Sequence, residues 1–82
     1  MVREILKSET TTLIEQKIDY YFEYYKSNTN HNDSIKLYVI RRLISMRELS
    51  SWLDDYGIIP YSEYVYLREK IENYVLEIGK GS

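Results

Sequence analysis

Residues Ile35 to Tyr56, IKLYVIRRLISMRELSSWLDDY, carry the longest unbroken helical pattern of the chain, and everything else in 82 residues has to be arranged around it. Ile35, Val39, Arg42 or Leu43, Met46, Leu49, Leu53 and Tyr56 recur at steps of three and four, the spacing that stacks side chains on one helix face. At about 1.5 Å of rise per residue the segment is roughly 33 Å long. A typical globular helix has only about 11 or 12 residues. In its first half, Leu37, Tyr38, Val39, Ile40, Leu43 and Ile44 leave almost no polar face. A helix apolar nearly all round is normally surrounded by protein, so this half is expected to be covered on several sides.

The charges of this segment run against its dipole. Lys36, Arg41, Arg42 and Arg47 occupy the N-terminal part, and Glu48, Asp54 and Asp55 the C-terminal part. Helix dipoles favour the opposite order, by about 0.3 to 1 kcal/mol per charge. Two copies packed antiparallel would bring Arg41 and Arg47 of one near Asp54 and Asp55 of the other, in the self-complementary form of a twofold contact. Solvated surface charge is the plainer reading of the same pattern.

Size makes such pairing relevant. A single domain of this length rarely nets more than about 3 to 5 kcal/mol from its core alone. The chain has no cysteine, so neither a disulfide nor a thiolate metal site can supplement it. The missing cysteines fit a cytoplasmic protein, and neither a signal peptide nor a membrane-spanning run is expected. Alanine is absent while isoleucine and tyrosine each occur ten times. Large side chains must therefore build the core, and the codon bias points to an AT-rich bacterial genome or a phage or plasmid living in one. A net charge of −2 argues mildly against a nucleic-acid module.

In chain order, Met1 to Lys7 reads as a short N-terminal helical turn, or else as the start of one helix running from Val2. Thr12 with Glu15 three residues on forms a possible capping box, which places the start of the first main helix there. Leu13, Ile14, Ile18, Tyr21, Phe22 and Tyr25 would face inward, with the end near Lys26. Ser27 to Ser34 is a polar loop, and Asp33 or Ser34 is expected to cap the central helix. Ser45 with Glu48 is a second possible box that would split that helix, although the apolar phase continues through it. Gly57 supplies the stop. Ile58 and Ile59 are expected to return to the core, and Pro60 to open the last helix. That helix turns Tyr64, Leu67, Ile71, Tyr74 or Val75, and Ile78 inward, leaving Glu63, Glu69, Lys70, Glu72 and Glu77 outside. The tail from Gly79 is expected to be disordered. The expected fold is all-α: a small antiparallel three-helix bundle spanning residues 1–78, with dimerisation through the central helix.

Catalytic residues are scarce. His31 is the one histidine and lies in the polar loop, no glycine-rich phosphate loop occurs, and the lone His excludes the paired spacing of a helical zinc site. Gathered near the hairpin, Asp54, Asp55 and Glu63 would form a cation or acid–base site, but acids at a solvated helix end explain them equally well. The expectation is no enzyme, no cofactor, no metal and no small-molecule substrate. The tyrosines say more. Tyr20 and Tyr24 lie about 100° off the first helix's inner stripe, Tyr66 points away from that of the last helix, and Trp52 sits one step off the central one. Tyr and Trp concentrate at binding hot spots because they bury much area at little entropic cost.

Leu49 to Glu69 faintly resembles a helix-turn-helix. It departs where that motif is demanding: Leu53 stands where a small residue is usual, and Glu63, Glu69 and Glu72 would face phosphate. The expected function is a non-enzymatic interaction module with a protein partner, of the kind phages and plasmids carry as regulators, immunity factors or inhibitors. Its contact candidates are Tyr20, Tyr24, Trp52, Tyr66, Asp54 and Asp55. Arg41, Arg42 and Arg47 would serve either the dimer or, as the alternative function, a nucleic-acid surface with tyrosines for stacking.

Overall fold

The computed structural model describes residues 7–28 and 32–80. The expected N-terminal turn, apart from Lys7, lies outside these residues, as do His31 and the last two residues. Three helices follow one another: α1 over Glu9–Ser27, α2 over Asp33–Asp55 and α3 over Tyr61–Lys80. Each touches both others, which makes the chain a three-helix bundle.

The start of α1 is not the expected Thr12–Glu15 box. Ser8 is the N-cap, in extended backbone, and its Oγ accepts a hydrogen bond from the Thr11 amide at 3.2 Å. The second half of a capping box is an acid that accepts from the cap's own amide. Here Glu63 of α3 does this, accepting from the Ser8 amide at 2.8 Å across 55 residues of sequence. The box is completed by tertiary structure, which no local pattern could reveal. From this cap Thr11, Ile14, Ile18, Tyr21 and Tyr25 turn inward at steps of three and four. Leu13, expected inside, is 66% exposed, because the inner stripe is centred on Ile18 and Leu13 falls on the far side of the helix.

Asn32 caps α2, rather than Asp33 or Ser34, its Oδ1 accepting from the Ile35 amide at 2.9 Å. The helix runs unbroken through Ser45, whose hydroxyl donates back to the Arg41 carbonyl within the same helix. Val39 and Leu43 are fully buried, Ile35, Met46 and Leu53 pack beside them, and Ser50 is buried with its hydroxyl donating to the Met46 carbonyl at 2.7 Å. Leu49 and Tyr56 of the expected stripe are exposed. So are Leu37 and Tyr38, which corrects the expectation that protein surrounds the first half of this helix. Three helices supply two neighbours for α2, and two neighbours leave one side open.

Gly57, at φ 74°, ends α2 in a Schellman arrangement: its amide donates to Asp54 at 2.9 Å and the Ile58 amide to Leu53 at 2.8 Å. Ile59 then enters the core, whereas Ile58 stays exposed. The Pro60 carbonyl accepts the first amide bonds of α3. Leu67, Ile71 and Ile78 are buried as expected, with Tyr64, Tyr74 and Val75 packed against them. Glu63 and Lys70, expected outside, are buried and half-buried respectively, held by partners on or before α1. Gly79 and Lys80, the first residues of the expected tail, belong to α3.

Candidate functional site

Two surfaces carry the polar and aromatic residues of interest, and they differ in kind. The first is the seam between α1 and α3. Its contacts climb both helices together: Ser8 with Glu63, Glu15 with Tyr66 and Lys70, Asp19 with Lys70 and Tyr74. At its centre Glu15 accepts from Lys7 Nζ at 2.7 Å, from Lys70 Nζ at 2.8 Å and from the Tyr66 hydroxyl. Lys70 also pairs with Asp19 at 2.9 Å, and Asp19 accepts from the Tyr74 hydroxyl at 2.7 Å. Above that, Phe22 and Tyr74 stack with centroids 4.0 Å apart, nearly parallel.

These contacts set the titration of the seam. Burial alone would raise the Glu15 carboxyl, but the hydrogen bonds from Lys7, Lys70 and Tyr66 outweigh it and hold the group at about 2. Burial opposes the charge on Lys70, yet hydrogen bonds to Glu15 and Asp19 prevail and raise its ammonium above the usual range. Glu63 is lowered in the same way, its burial overcome by hydrogen bonds from Thr11 and Ser8. Burial and the bond to Asp19 raise the Tyr74 phenol. A carboxylate held this low and surrounded by donors is a poor proton acceptor at neutral pH. The seam is a lock between two helices.

The second surface is the outer side of α2 with the adjoining edge of α1. Tyr24 of α1 meets Tyr38 of α2 edge to face at 5.7 Å, joining the two helices there. Along α1, Tyr20 is 58% exposed, with Lys17 Nζ 5.0 Å from its ring centre, and Leu13 continues the same row. Along α2, a shallow concavity of about 440 Å³ is lined by Ser34, Leu37, Tyr38, Arg41, Arg42 and Ser45. A smaller one of about 160 Å³ follows, lined by Ser45, Glu48, Leu49 and Trp52. Trp52 is 66% exposed. The Arg42 guanidinium lies 5.4 Å from the Tyr38 ring centre.

The sequence candidates therefore divide. Tyr20, Tyr24, Trp52, Arg41 and Arg42 come together on the second surface. Tyr66 belongs to the seam, where its hydroxyl and ring are engaged by Glu15 and Lys7. Arg47 and Asp54 are half-buried while Asp55 is exposed, and Asp54 and Asp55 do not gather with Glu63, which is turned to Ser8. Sequence reasoning missed Tyr38 and Leu49, which it placed inside. The signal was available: Tyr38, Ser45 and Trp52 form a seven-residue repeat off the inner stripe, with Arg42, Leu49 and Tyr56 as a second one beside it.

No ion pair involves α2 among the described residues, although it carries charges of both signs. Among those residues, too, no three potential ligands gather as a metal site would require, and no helix is long and apolar enough to cross a membrane. The chain matches no protein-family model, no curated protein and no solved structure.

Proposed function

We propose that this chain is a non-enzymatic binding module that receives a protein partner on the outer face of α1 and α2. One observation carries the reading: Leu13, Tyr20, Tyr24, Tyr38, Leu49 and Trp52 remain exposed along two adjoining helices, beside cations that make no ion pair among the described residues. Scattered apolar residues on a surface need no explanation, but large apolar residues recurring along one side of two adjoining helices do. Aromatic side chains with arginine are the composition of protein-binding hot spots. The same-sense climb of α1 and α3 supports an up-down-up bundle whose successive helices are antiparallel, with the band along one long side. A cytoplasmic regulator, immunity factor or inhibitor of phage or plasmid type would use such a module.

The test is affinity capture with the whole chain, comparing wild type with a Tyr20→Ser, Tyr24→Ser variant by quantitative mass spectrometry. Proteins held by the wild type and lost from the variant support the reading. The same proteins held by both overturn it.

A second reading has its own observation. Arg41 and Arg42 are exposed, make no ion pair among the described residues, and stand beside Tyr38, a combination suited to stacking and backbone contacts with single-stranded nucleic acid. It predicts binding of an oligonucleotide that weakens steeply with salt and is abolished by Arg41→Ala with Arg42→Ala. No binding at low salt removes it.

A further inference from the structure

We infer that the first occupant of the outer face of α2 is a second copy of this chain, packed antiparallel on the same helix about a twofold axis through Ser45. The inference rests on reading the α1–α2 face as a binding surface, and it names the partner of the α2 half.

Three features of α2 meet in this arrangement. The outer stripe has the alternating three- and four-residue spacing along which two helices pack lengthwise. Ser45 lies midway along it, between the two concavities, and is exposed. A small residue there lets two backbones approach to the usual interaxial distance of about 8 to 10 Å. About a twofold axis, positions equally far from Ser45 on opposite sides oppose one another. Tyr38, seven residues before it, faces Trp52, seven residues after. Arg42, three before, faces Glu48, three after.

Each opposition occurs twice and each joins complementary groups. The indole of Trp52, exposed on its own chain, enters the larger concavity beside the partner's Tyr38 and under two guanidinium groups, which favour an aromatic face. Arg42 and Glu48, neither of them ion-paired among the described residues of its own chain, neutralise one another between chains. Apart from Asp33 in the first turn, the charge order along α2 is unfavourable within one helix and becomes favourable between two antiparallel ones. Leu13 and Tyr20 of α1 lie beside this contact and stay available to a different protein.

Sedimentation of the full chain across a dilution series tests the inference, with circular dichroism to show that helicity is kept. The wild type is expected as a dimer. Arg42→Glu and Glu48→Arg each place like charges opposite one another twice, so each alone is expected as a monomer. Mixed in equal amounts, they are expected to form a heterodimer, because each variant carries the charge the other lacks. Trp52→Ala should weaken self-association roughly 30-fold or more. Ser45→Arg, which puts bulk and charge on the axis without disturbing the core, should abolish it.

A wild type that is monomeric at every concentration overturns the inference. So does a mixture of the two charge variants that stays monomeric, or a Ser45→Arg variant that still dimerises. All of these outcomes are read on the purified chain alone. A monomer that still holds a foreign protein through Tyr20 and Tyr24 overturns the dimer and leaves the binding module standing.

Discussion

The two long sides of α1 show what a partner does to a surface. On the side facing α3, Glu15 and Asp19 are met by Lys7, Tyr66, Lys70 and Tyr74, and no buried side-chain polar atom among the described residues lacks a hydrogen bond. On the other side, Leu13, Tyr20 and Tyr24 run out towards solvent and adjoin a stripe of α2 that holds no ion pair among the described residues. The residue types are much the same on both sides: tyrosines, cations and an occasional acid. What differs is whether a third helix stands opposite. Where one does, charge and phenol become a lock that selects a single packing. Where none does, the same chemistry is left facing solvent.

Replacing Glu15 is the most damaging way to break that contrast. Glu15→Leu takes one of its two carboxylate partners from Lys70, which keeps Asp19, and removes the acceptor of Lys7 and Tyr66, and should cost about 2 to 3 kcal/mol, the range for lost hydrogen bonds to a charged group. Urea unfolding measures it, and a loss under 1 kcal/mol would reduce the lock to surface decoration.

Acid should attack the same point. The folded Glu15 carboxyl, at about 2, lies below its unfolded value of 4.5, so the folded chain binds fewer protons in between. Its contribution is complete above pH 4.5 and is lost as the pH falls towards 2. The full shift corresponds to about 1.4 kcal/mol per unit, and partial exposure of the seam reduces the expected loss to about 2 kcal/mol. Lys70 works in the opposite sense: raised in the fold, its contribution is complete below its unfolded value of 10.5 and is lost as the pH rises through the folded one. Denaturation midpoints measured from pH 6 down to pH 2 should therefore fall in Glu15→Gln by clearly less than in the wild type.

Smaller effects sharpen the picture. Ser8→Ala removes the cap of α1 together with a hydrogen bond to Glu63, and should cost about 1 kcal/mol or slightly more. Gly57→Ala should cost about 1 kcal/mol through backbone conformation alone, since the added methyl meets nothing within 4 Å. The smallest effect belongs to the open side. Trp52→Ala, measured in the Ser45→Arg background to remove self-association, should change monomer stability by less than about 0.5 kcal/mol. A large loss there would mean that the indole supports the bundle and that the open side contributes to stability as the seam does.

The residues that were legible in the sequence are those whose role depends on near neighbours. Ile14, Ile18, Tyr21 and Tyr25 on α1, Leu67, Ile71 and Ile78 on α3, and the Gly57 stop follow from helical spacing and from glycine's tolerance of positive φ. The outward setting of Tyr20, Tyr24 and Trp52 follows from the same spacing. The misplacements have a common cause. Glu63 and Lys70 looked like surface charges because their partners Ser8, Glu15 and Asp19 stand about 50 residues away in sequence. Tyr38 and Leu37 looked buried because the first half of α2 is apolar on almost every side, and such a helix does not itself indicate which side its neighbours will cover.

By itself, then, the sequence determined three helices, their ends to within a few residues, and the inner stripes of α1 and α3, since backbone periodicity and capping are settled among residues a turn or two apart. The rotation of α2 about its axis, the closure of the α1 cap by Glu63, and the placing of Tyr66 and Tyr74 in a locked seam but Tyr20, Tyr24 and Tyr38 on an open face are set by tertiary packing. Those depend on which groups lie opposite one another once the helices pack, and helix packing energies are summed over contacts between segments that are distant along the chain.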